Sequence, residues 1–244
     1  MELPVLIVKT GHTLPEVKQE YGDFEQMIKR GMKMRDQDLC VVCPPAGEPL
    51  PSPDGYRGIV ITGSHAMVSE REDWSERTAS WLGRVLDTRV PVLGICYGHQ
   101  LLAHALGGES GYHPTGREVG TAQIFQTNAG EHDPLFENVP RAFLAQACHS
   151  QTVHTLPEDA VLLAWNHFEA THAYRINGRV WGVQFHPEFN PDITRIYTLD
   201  QAEELRSEHQ NPEQIYENIC TSHAEVHVLS NFAEIIRKYQ VPAK

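Results

Sequence analysis

Gly94-Ile95-Cys96-Tyr97-Gly98 places a thiol between two glycines. It lies where an apolar run (residues 90–95) gives way to an amphipathic stretch (residues 99–106) that Gly107-Gly108 closes. A strand turning sharply into a helix in this way forms a nucleophile elbow, here with sulfur in place of the usual hydroxyl. Glycines two residues before and two after Cys96 remove Cβ atoms that would collide in so tight a turn. The sulfur is lifted clear of the sheet at the positive end of a helix, which favours a thiolate. The backbone N–H of Tyr97 then points where an oxyanion would form. A bare G-x-C-x-G is equally compatible with a buried structural cysteine beside two turn glycines. The flanking strand and helix signals favour the nucleophile.

A thiolate nucleophile needs a group that carries a proton to the leaving amine. The chain holds 14 histidines, so the presence of one proves little. His186 stands apart by its setting: it ends the apolar run 180–185 and is followed by Pro187 and Glu188. Residues i and i+2 of an extended segment face the same way, so Glu188 can lie beside the imidazole while Pro187 stiffens the backbone between them. Base and orienter would come from three consecutive residues. By itself His-Pro-Glu is more often only a strand-ending turn; its company with the elbow reverses that reading in favour of the catalytic one.

Such a site needs a scaffold. Residues 5–8, 39–43, 58–62 and 90–95 are short apolar runs rich in β-branched residues, the pattern of buried parallel strands. Between the last two, residues 73–86 carry Trp74, Thr78, Trp81, Leu82, Val85 and Leu86 at helical spacing, and residues 23–32 read as a second helix. This alternation predicts an open, doubly wound α/β fold: a mostly parallel twisted sheet flanked by helices. After Gly108 the texture changes to runs at 119–125, 142–146, 161–165, 173–176 and 180–185 separated by short turns, with Asn177-Gly178 a hairpin signal. The second half is therefore expected to extend the sheet in antiparallel or mixed fashion. Helix resumes at Pro191. An acidic segment, 200–217, reads as a solvated helix face, and residues 226–239 read as a closing helix with Val226, Leu229, Phe232, Ala233 and Ile236 on one side. There is no internal repeat or linker, and one domain over 1–244 is expected.

Composition narrows the partners. With 41% apolar and 21% charged residues, the chain matches an ordinary globular protein. A net charge of −12 with no compensating basic cluster argues against nucleic acid. The opening residues 1–9 suggest a short buried strand rather than a signal peptide, and no run approaches the roughly 18 apolar residues of a membrane span. Five cysteines, an odd number, do not make a disulfide framework. A cytoplasmic protein is expected. Cys40 and Cys43 have the spacing of a metal or redox pair, but they lie in an apparently buried strand with no second pair, and a core role is expected. Cys148-His149 lacks an elbow. His167 and His172, which flank Glu169, are expected to line a hairpin or the cleft mouth, and no metal is expected.

Residues Val92-Leu93-Gly94-Ile95-Cys96-Tyr97-Gly98-His99-Gln100-Leu101-Leu102 resemble the nucleophile motif of the class I glutamine amidotransferases, and Gly182-Val183-Gln184-Phe185-His186-Pro187-Glu188 resemble that family's His-x-Glu motif. The resemblance extends to Leu229-Ser230-Asn231-Phe232 and covers nearly the whole chain. It implies that fold, flavodoxin-like in its parallel half, and a mechanism without a cofactor. Cys96 attacks the side-chain amide of glutamine, His186 protonates the departing ammonia, and water resolves a glutamyl thioester. It further implies that Gly63 supplies the other oxyanion-hole amide, that Gln100 contacts substrate, and that the backbone of His149-Ser150-Gln151 holds the substrate's amino-acid end. Gly63-Ser64-His65 departs from the family's frequent Gly-Gly-Pro and is similar to the glutaminase domain of GMP synthetase and to plant γ-glutamyl peptidases. Gln151 stands where an acidic residue is common. Residues 190–220 exceed a minimal glutaminase domain and are expected to form a helical cap or an interface. No Ser-Gly-Gly-rich phosphate loop or P-loop accompanies the motifs. Either a separate synthase supplies the ammonia acceptor, the chain acting as a subunit that needs docking, or hydrolysis of glutamine or a γ-glutamyl peptide or conjugate is the entire reaction.

Overall fold

The computed structural model describes residues 3–239, with residues 225 and 226 described only as helical backbone. Met1, Glu2 and the Val226 side chain of the expected closing-helix face lie outside the described residues. In chain order the elements are β1 (Val5–Val8), α1 (Pro15–Tyr21), α2 (Phe24–Gly31), β2 (Leu39–Val42), β3 (Gly58–Ile61), α3 (Asp73–Val85), β4 (Val92–Ile95) and α4 (Tyr97–Ala105). There follow β5 (Glu109–Tyr112), β6 (Glu118–Gln126), β7 (Ala142–His149), β8 (Gln151–Thr155), β9 (Ala160–Trp165), β10 (Ala173–Ile176) and β11 (Val180–Val183). The helices α5 (Pro191–Asp200), α6 (Ala202–Ser207), α7 (Pro212–Asn218) and α8 (His223–Lys238) complete it.

Nine strands form one sheet in the order β2-β1-β3-β4-β11-β10-β9-β6-β7. From β2 to β11 neighbours run parallel; from β11 onward they run antiparallel. The expected mostly parallel α/β sheet with an antiparallel extension is what the chain forms. Successive strand residues point to opposite faces, so each parallel strand feeds two cores. Val5, Ile7, Val60, Leu93 and Ile95 pack with Ile28 of α2 and with Leu229, Phe232 and Ile236 of α8. Leu6, Val8, Ile59, Ile61 and Val92 pack with Trp81, Leu82 and Val85 of α3 and with Leu101 and Leu102 of α4. Burying a side chain of this size stabilises by roughly 1.5–3 kcal/mol, which is why both faces of β1 and β3 are apolar. Asp23 caps α2: its carboxylate accepts the Phe24 N–H, and the Gln26 side chain accepts the Asp23 N–H.

Several expectations need correction. The run 39–43 is an edge strand, not a buried one: Val41 is 43% exposed and Cys40 and Cys43 are half-buried. Only β1 flanks β2, so its other edge has no strand neighbour. Helix α1 and the small antiparallel sheet of β5 and β8 are additional elements. Glu109-Ser110-Gly111-Tyr112 and Gln151-Thr152-Val153-His154-Thr155 lack an apolar run, and only pairing with each other makes them strands. Helices α5 and α7 pack on β6, while the acidic residues Glu203, Glu204, Glu213 and Glu217 face solvent. Among the described residues no helix is long and apolar enough to cross a membrane.

Candidate active site

Strand β4 ends at Ile95 and α4 starts at Tyr97, so the whole reversal falls on Cys96, which is held at φ 50°, ψ −101°. A non-glycine residue there carries about 1–3 kcal/mol of strain, tolerated only where the surroundings over-determine it. Here they do. The Cys96 N–H donates to the Val183 carbonyl (2.8 Å), and its own carbonyl accepts the Gln100 N–H (3.1 Å). The flanking glycines are steric necessities: a Cβ on Gly94 would meet the Gly98 carbonyl oxygen at 2.4 Å, and one on Gly98 would meet the Ile61 carbonyl oxygen at 2.5 Å. Tyr97 is the first residue of α4, where an N–H has no acceptor within its helix. Its phenol is anchored by Ser75 (2.5 Å) and its ring lies on Trp74.

The meeting of Cys96 with His186 is a consequence of strand register. Strand β11 lies beside β4 with Gly182 opposite Gly94 and Val183 opposite Ile95. The chain leaving β11 therefore passes the elbow within three residues. The His186 N–H is tied to the Gln146 carbonyl (2.8 Å), its ring is stacked on Phe189 (centroids 4.1 Å apart), and its Nδ1 is 2.8 Å from Oε1 of Glu188. The ring and the Cys96 thiol line the same cleft. Burial alone would discharge the imidazole; the Glu188 charge, the nearby Cys96 and the hydrogen bond to Glu188 outweigh it and raise its pKa to about 10. The ring is thus suited to hold a proton next to sulfur and to give it up when a leaving amine arrives. Gly63 follows β3 at the same end of the sheet, so close that a Cβ there would come within 3.0 Å of His186 Cε1.

Cys96, Tyr97 and His186 open into a cleft of about 220 Å³. Gln100, His149, Ser150 and Gln151 line it, but with their side chains committed. Gln100 Nε2 donates to the Gln151 carbonyl (2.9 Å) and to Gln184 Oε1 (3.0 Å). The Ser150 hydroxyl points at the Met67 sulfur (3.6 Å), and the Gln151 amide bonds to Ser69. Both ring nitrogens of His149 are taken up by Gln151 and Glu118. The Cys96 thiol faces the Cys148 carbonyl at 3.7 Å.

Much of the remaining wall comes from His65 of the Gly63-Ser64-His65 segment and from residues that the motifs do not reveal: Phe24, Arg117, Tyr197, Asp200, Gln201 and Glu204. The imidazole of His65 stacks on Tyr197, whose hydroxyl bonds to Thr13 (2.8 Å). Burial lowers the His65 pKa, Asp200 opposing and His186 adding to the effect. Cys148 accepts from Gln201 Nε2 (2.9 Å), and burial, with the nearby Cys96, pushes its thiol up to about 12. The excess length of 190–220 is a sequence signal for this wall, since α5, α6 and Gln201 between them supply four of its members. His167 and His172 both lie in the β9–β10 connection, but neither lines the cleft: His167 is exposed beside Trp165, and His172 is fully buried. No group of three or more His, Cys, Asp or Glu among the described residues is arranged to hold a metal ion.

Fold and site together define an α/β protein with a cysteine at a strand–helix elbow and a histidine–carboxylate pair beside it. The family model for class-I glutamine amidotransferases matches residues 17–202, and the chain belongs to that family. It is 34% identical over 140 residues to γ-glutamyl peptidase 4 of Arabidopsis thaliana, a match spanning 57% of this chain and 56% of that protein. It is 34% identical over 133 residues to the glutamine-hydrolysing GMP synthase subunit of Methanococcus aeolicus, spanning 54% and 64%. The chain thus spans less than two thirds of the length of these curated relatives. In three dimensions it is similar to a glutamine amidotransferase of Thermotoga maritima, with a TM-score of 0.74, 20% identity and coverage of 98% and 100%.

Proposed function

We propose that the chain is a cysteine-nucleophile amidohydrolase that cleaves the side-chain amide of glutamine, with Cys96, His186 and Glu188 as its catalytic triad. The observation that carries this reading is Cys96, held in strained backbone at the elbow and sharing one cleft with an imidazole whose Nδ1 lies 2.8 Å from Glu188. The thiolate adds to the amide carbonyl and the N–H groups of Gly63 and Tyr97 receive the oxyanion. His186 donates its proton to the nitrogen as the C–N bond breaks, leaving a glutamyl thioester and ammonia. His186 then takes a proton from water, hydroxide displaces sulfur, and glutamate leaves. Glu188 keeps the ring oriented and favours its charged form throughout. The backbone of 149–151, with Gln100, receives the amino-acid end of the substrate.

The ammonia is released to solvent or to a separate synthase; a synthase partner fits the likeness to a GMP synthase component. A second reading, hydrolysis of a γ-glutamyl peptide or conjugate, is favoured by the wall of His65, Tyr197, Asp200 and Glu204, because departing ammonia needs no such lining. The likeness to a γ-glutamyl peptidase fits it equally. We read the chain as one domain with 190–220 as a helical cap, and its cysteines, none of them paired, as those of a cytoplasmic protein. Incubation with glutamine and with a panel of γ-glutamyl dipeptides, following ammonia, glutamate and the released amino acid, tests the reading. Turnover of neither by the chain alone or with added synthase, together with an unreactive Cys96, refutes it.

A further inference from the structure

A buried charge cluster that the hydrolysis scheme does not use lies behind the 149–151 segment. Glu118 on β6 stands directly opposite His149 on β7. Its Oε2 is 3.0 Å from His149 Nε2 and 3.1 Å from His172 Nε2, while its Oε1 accepts from the Asn166 amide (2.7 Å). His149 Nδ1 is 3.0 Å from the Gln151 carbonyl and 3.9 Å from Glu169 Oε2. Glu169 in turn accepts from Thr152 and from both the N–H and the hydroxyl of Thr171. The His149 and Glu169 side chains are 1% exposed and that of His172 is 0% exposed.

Both partners of the His149 ring are oxygens that only accept: a carbonyl and a carboxylate that already takes an amide N–H. A neutral imidazole has one N–H, so it would turn a lone pair toward one of those oxygens; two N–H groups satisfy both. The Gln151 carbonyl is also the acceptor for Gln100 Nε2, so two donors from different elements clamp one peptide group beside the cleft.

Resting on the amidohydrolase reading, we infer that Glu118 is a positioning residue. By keeping His149 doubly protonated it locks the Gln151 carbonyl, and with it the backbone that receives the amino-acid end of a γ-glutamyl substrate. Electrostatics agree with the geometry. Burial lowers the His149 pKa, but the hydrogen bond and charge of Glu118, then the charges of Glu169 and Cys96, raise it overall. His172 and His99 also face this cluster, and burial holds His99 down to about 3, neutral, so it adds no competing charge. His149 therefore acts through its backbone clamp and its charge; its ring is not free to touch substrate.

The test is Cys96 labelling by two electrophiles in wild type, Glu118→Gln and Glu118→Asp between pH 5.5 and 8.5. A diazo-ketone analogue of glutamine must seat its amino-acid end; iodoacetamide has none. In wild type the concentration of analogue giving half-maximal labelling rate stays flat with pH. In Glu118→Gln it rises with pH as His149 loses its second proton, by about tenfold or more at pH 8, while the limiting rate and the iodoacetamide rate change less than about threefold. Glu118→Asp, which keeps the charge, stays pH-flat. Histidine ¹⁵N spectra of the unaltered protein show His149, assigned by its contacts to Glu118 and Gln151, doubly protonated to pH 8. This last measurement needs no variant to fold. A neutral His149 overturns the inference, as does unchanged analogue affinity in Glu118→Gln, or a parallel fall in both labelling rates. Wild-type Cys96 that takes iodoacetamide but never the analogue overturns the amidohydrolase reading itself, and this inference with it.

Discussion

Replacing Gly63 with alanine adds one methyl group where His186 cannot retreat. The φ of Gly63 lies outside the left-handed region, so the methyl group rather than the backbone is the perturbation. The new carbon would lie 3.0 Å from His186 Cε1 and 3.7 Å from the Phe24 ring. The first contact is about 0.5–1 Å short of an ordinary carbon–carbon separation. The imidazole is held behind by Phe189, through Nδ1 by Glu188, and through its backbone by Gln146. The strain must move either the ring or the segment carrying the Gly63 N–H. A misplacement of about 1 Å in a reacting group costs up to about a hundredfold in rate. The expected outcome is a loss of about 10- to 100-fold in kcat, roughly 1.4–2.7 kcal/mol of barrier, with a stability loss of about 1–3 kcal/mol. The assay is glutaminase or γ-glutamyl hydrolase kinetics beside thermal unfolding, with Gly83→Ala as control. Gly83 is an exposed helical position where an added Cβ meets nothing within 4 Å. Its alanine variant should be neutral for rate and more stable by about 0.5–1 kcal/mol. A Gly63→Ala enzyme with wild-type kcat would refute the argument that His186 is pinned at sub-ångström tolerance.

Of the five cysteines, Cys96 is expected to react first with a glutamine-like diazo-ketone. Cys148, half-buried and held by Gln201, should stay unlabelled; peptide mapping that finds Cys40, Cys43, Cys148 or Cys220 modified instead counts against the assignment. Glu188→Gln removes the charge that does most to raise the His186 pKa, so the alkaline limb of the kcat/KM profile should move down toward the ordinary histidine value of about 6.5. Activity at pH 8 should fall at least about tenfold, and an unmoved limb contradicts the role. Asp23 caps α2 and pairs with the buried Lys9 at 2.7 Å, so Asp23→Asn should cost about 3 kcal/mol in denaturant unfolding. Although burial pushes the Asp23 pKa up, bonds from Lys9, His12 and the Thr13 and Phe24 amides depress it overall. Its contribution is therefore present above pH about 4 and lost as pH falls toward the depressed value; acid unfolding of wild type and variant should converge there.

The elbow and the His-Pro-Glu turn were legible in the sequence because the forces that shape them are local. Gly94 is required by the Gly98 carbonyl four residues on, and Glu188 reaches His186 because extended residues two apart share a side. The buried parallel strands were legible for a related reason: both faces of β1, β3 and β4 are covered by helices, so their composition is apolar throughout. Strand β2 misled because the same composition occurs at an edge, and edge or centre is decided by neighbours rather than by the strand. Nothing in either motif states that the two meet. That follows from the parallel register of β11 against β4, a choice made by the packing of the whole sheet. The same holds for the cap wall, where α5 and α6 are folded back over the cleft, and for Glu118, His149, His172 and Glu169, which belong to three segments that only the antiparallel half of the sheet assembles. Residue types and short spacings determined which groups could do chemistry. Tertiary structure decided which of them share a cleft and which are held behind it, because long-range pairing and burial are properties of the folded chain and of no segment alone.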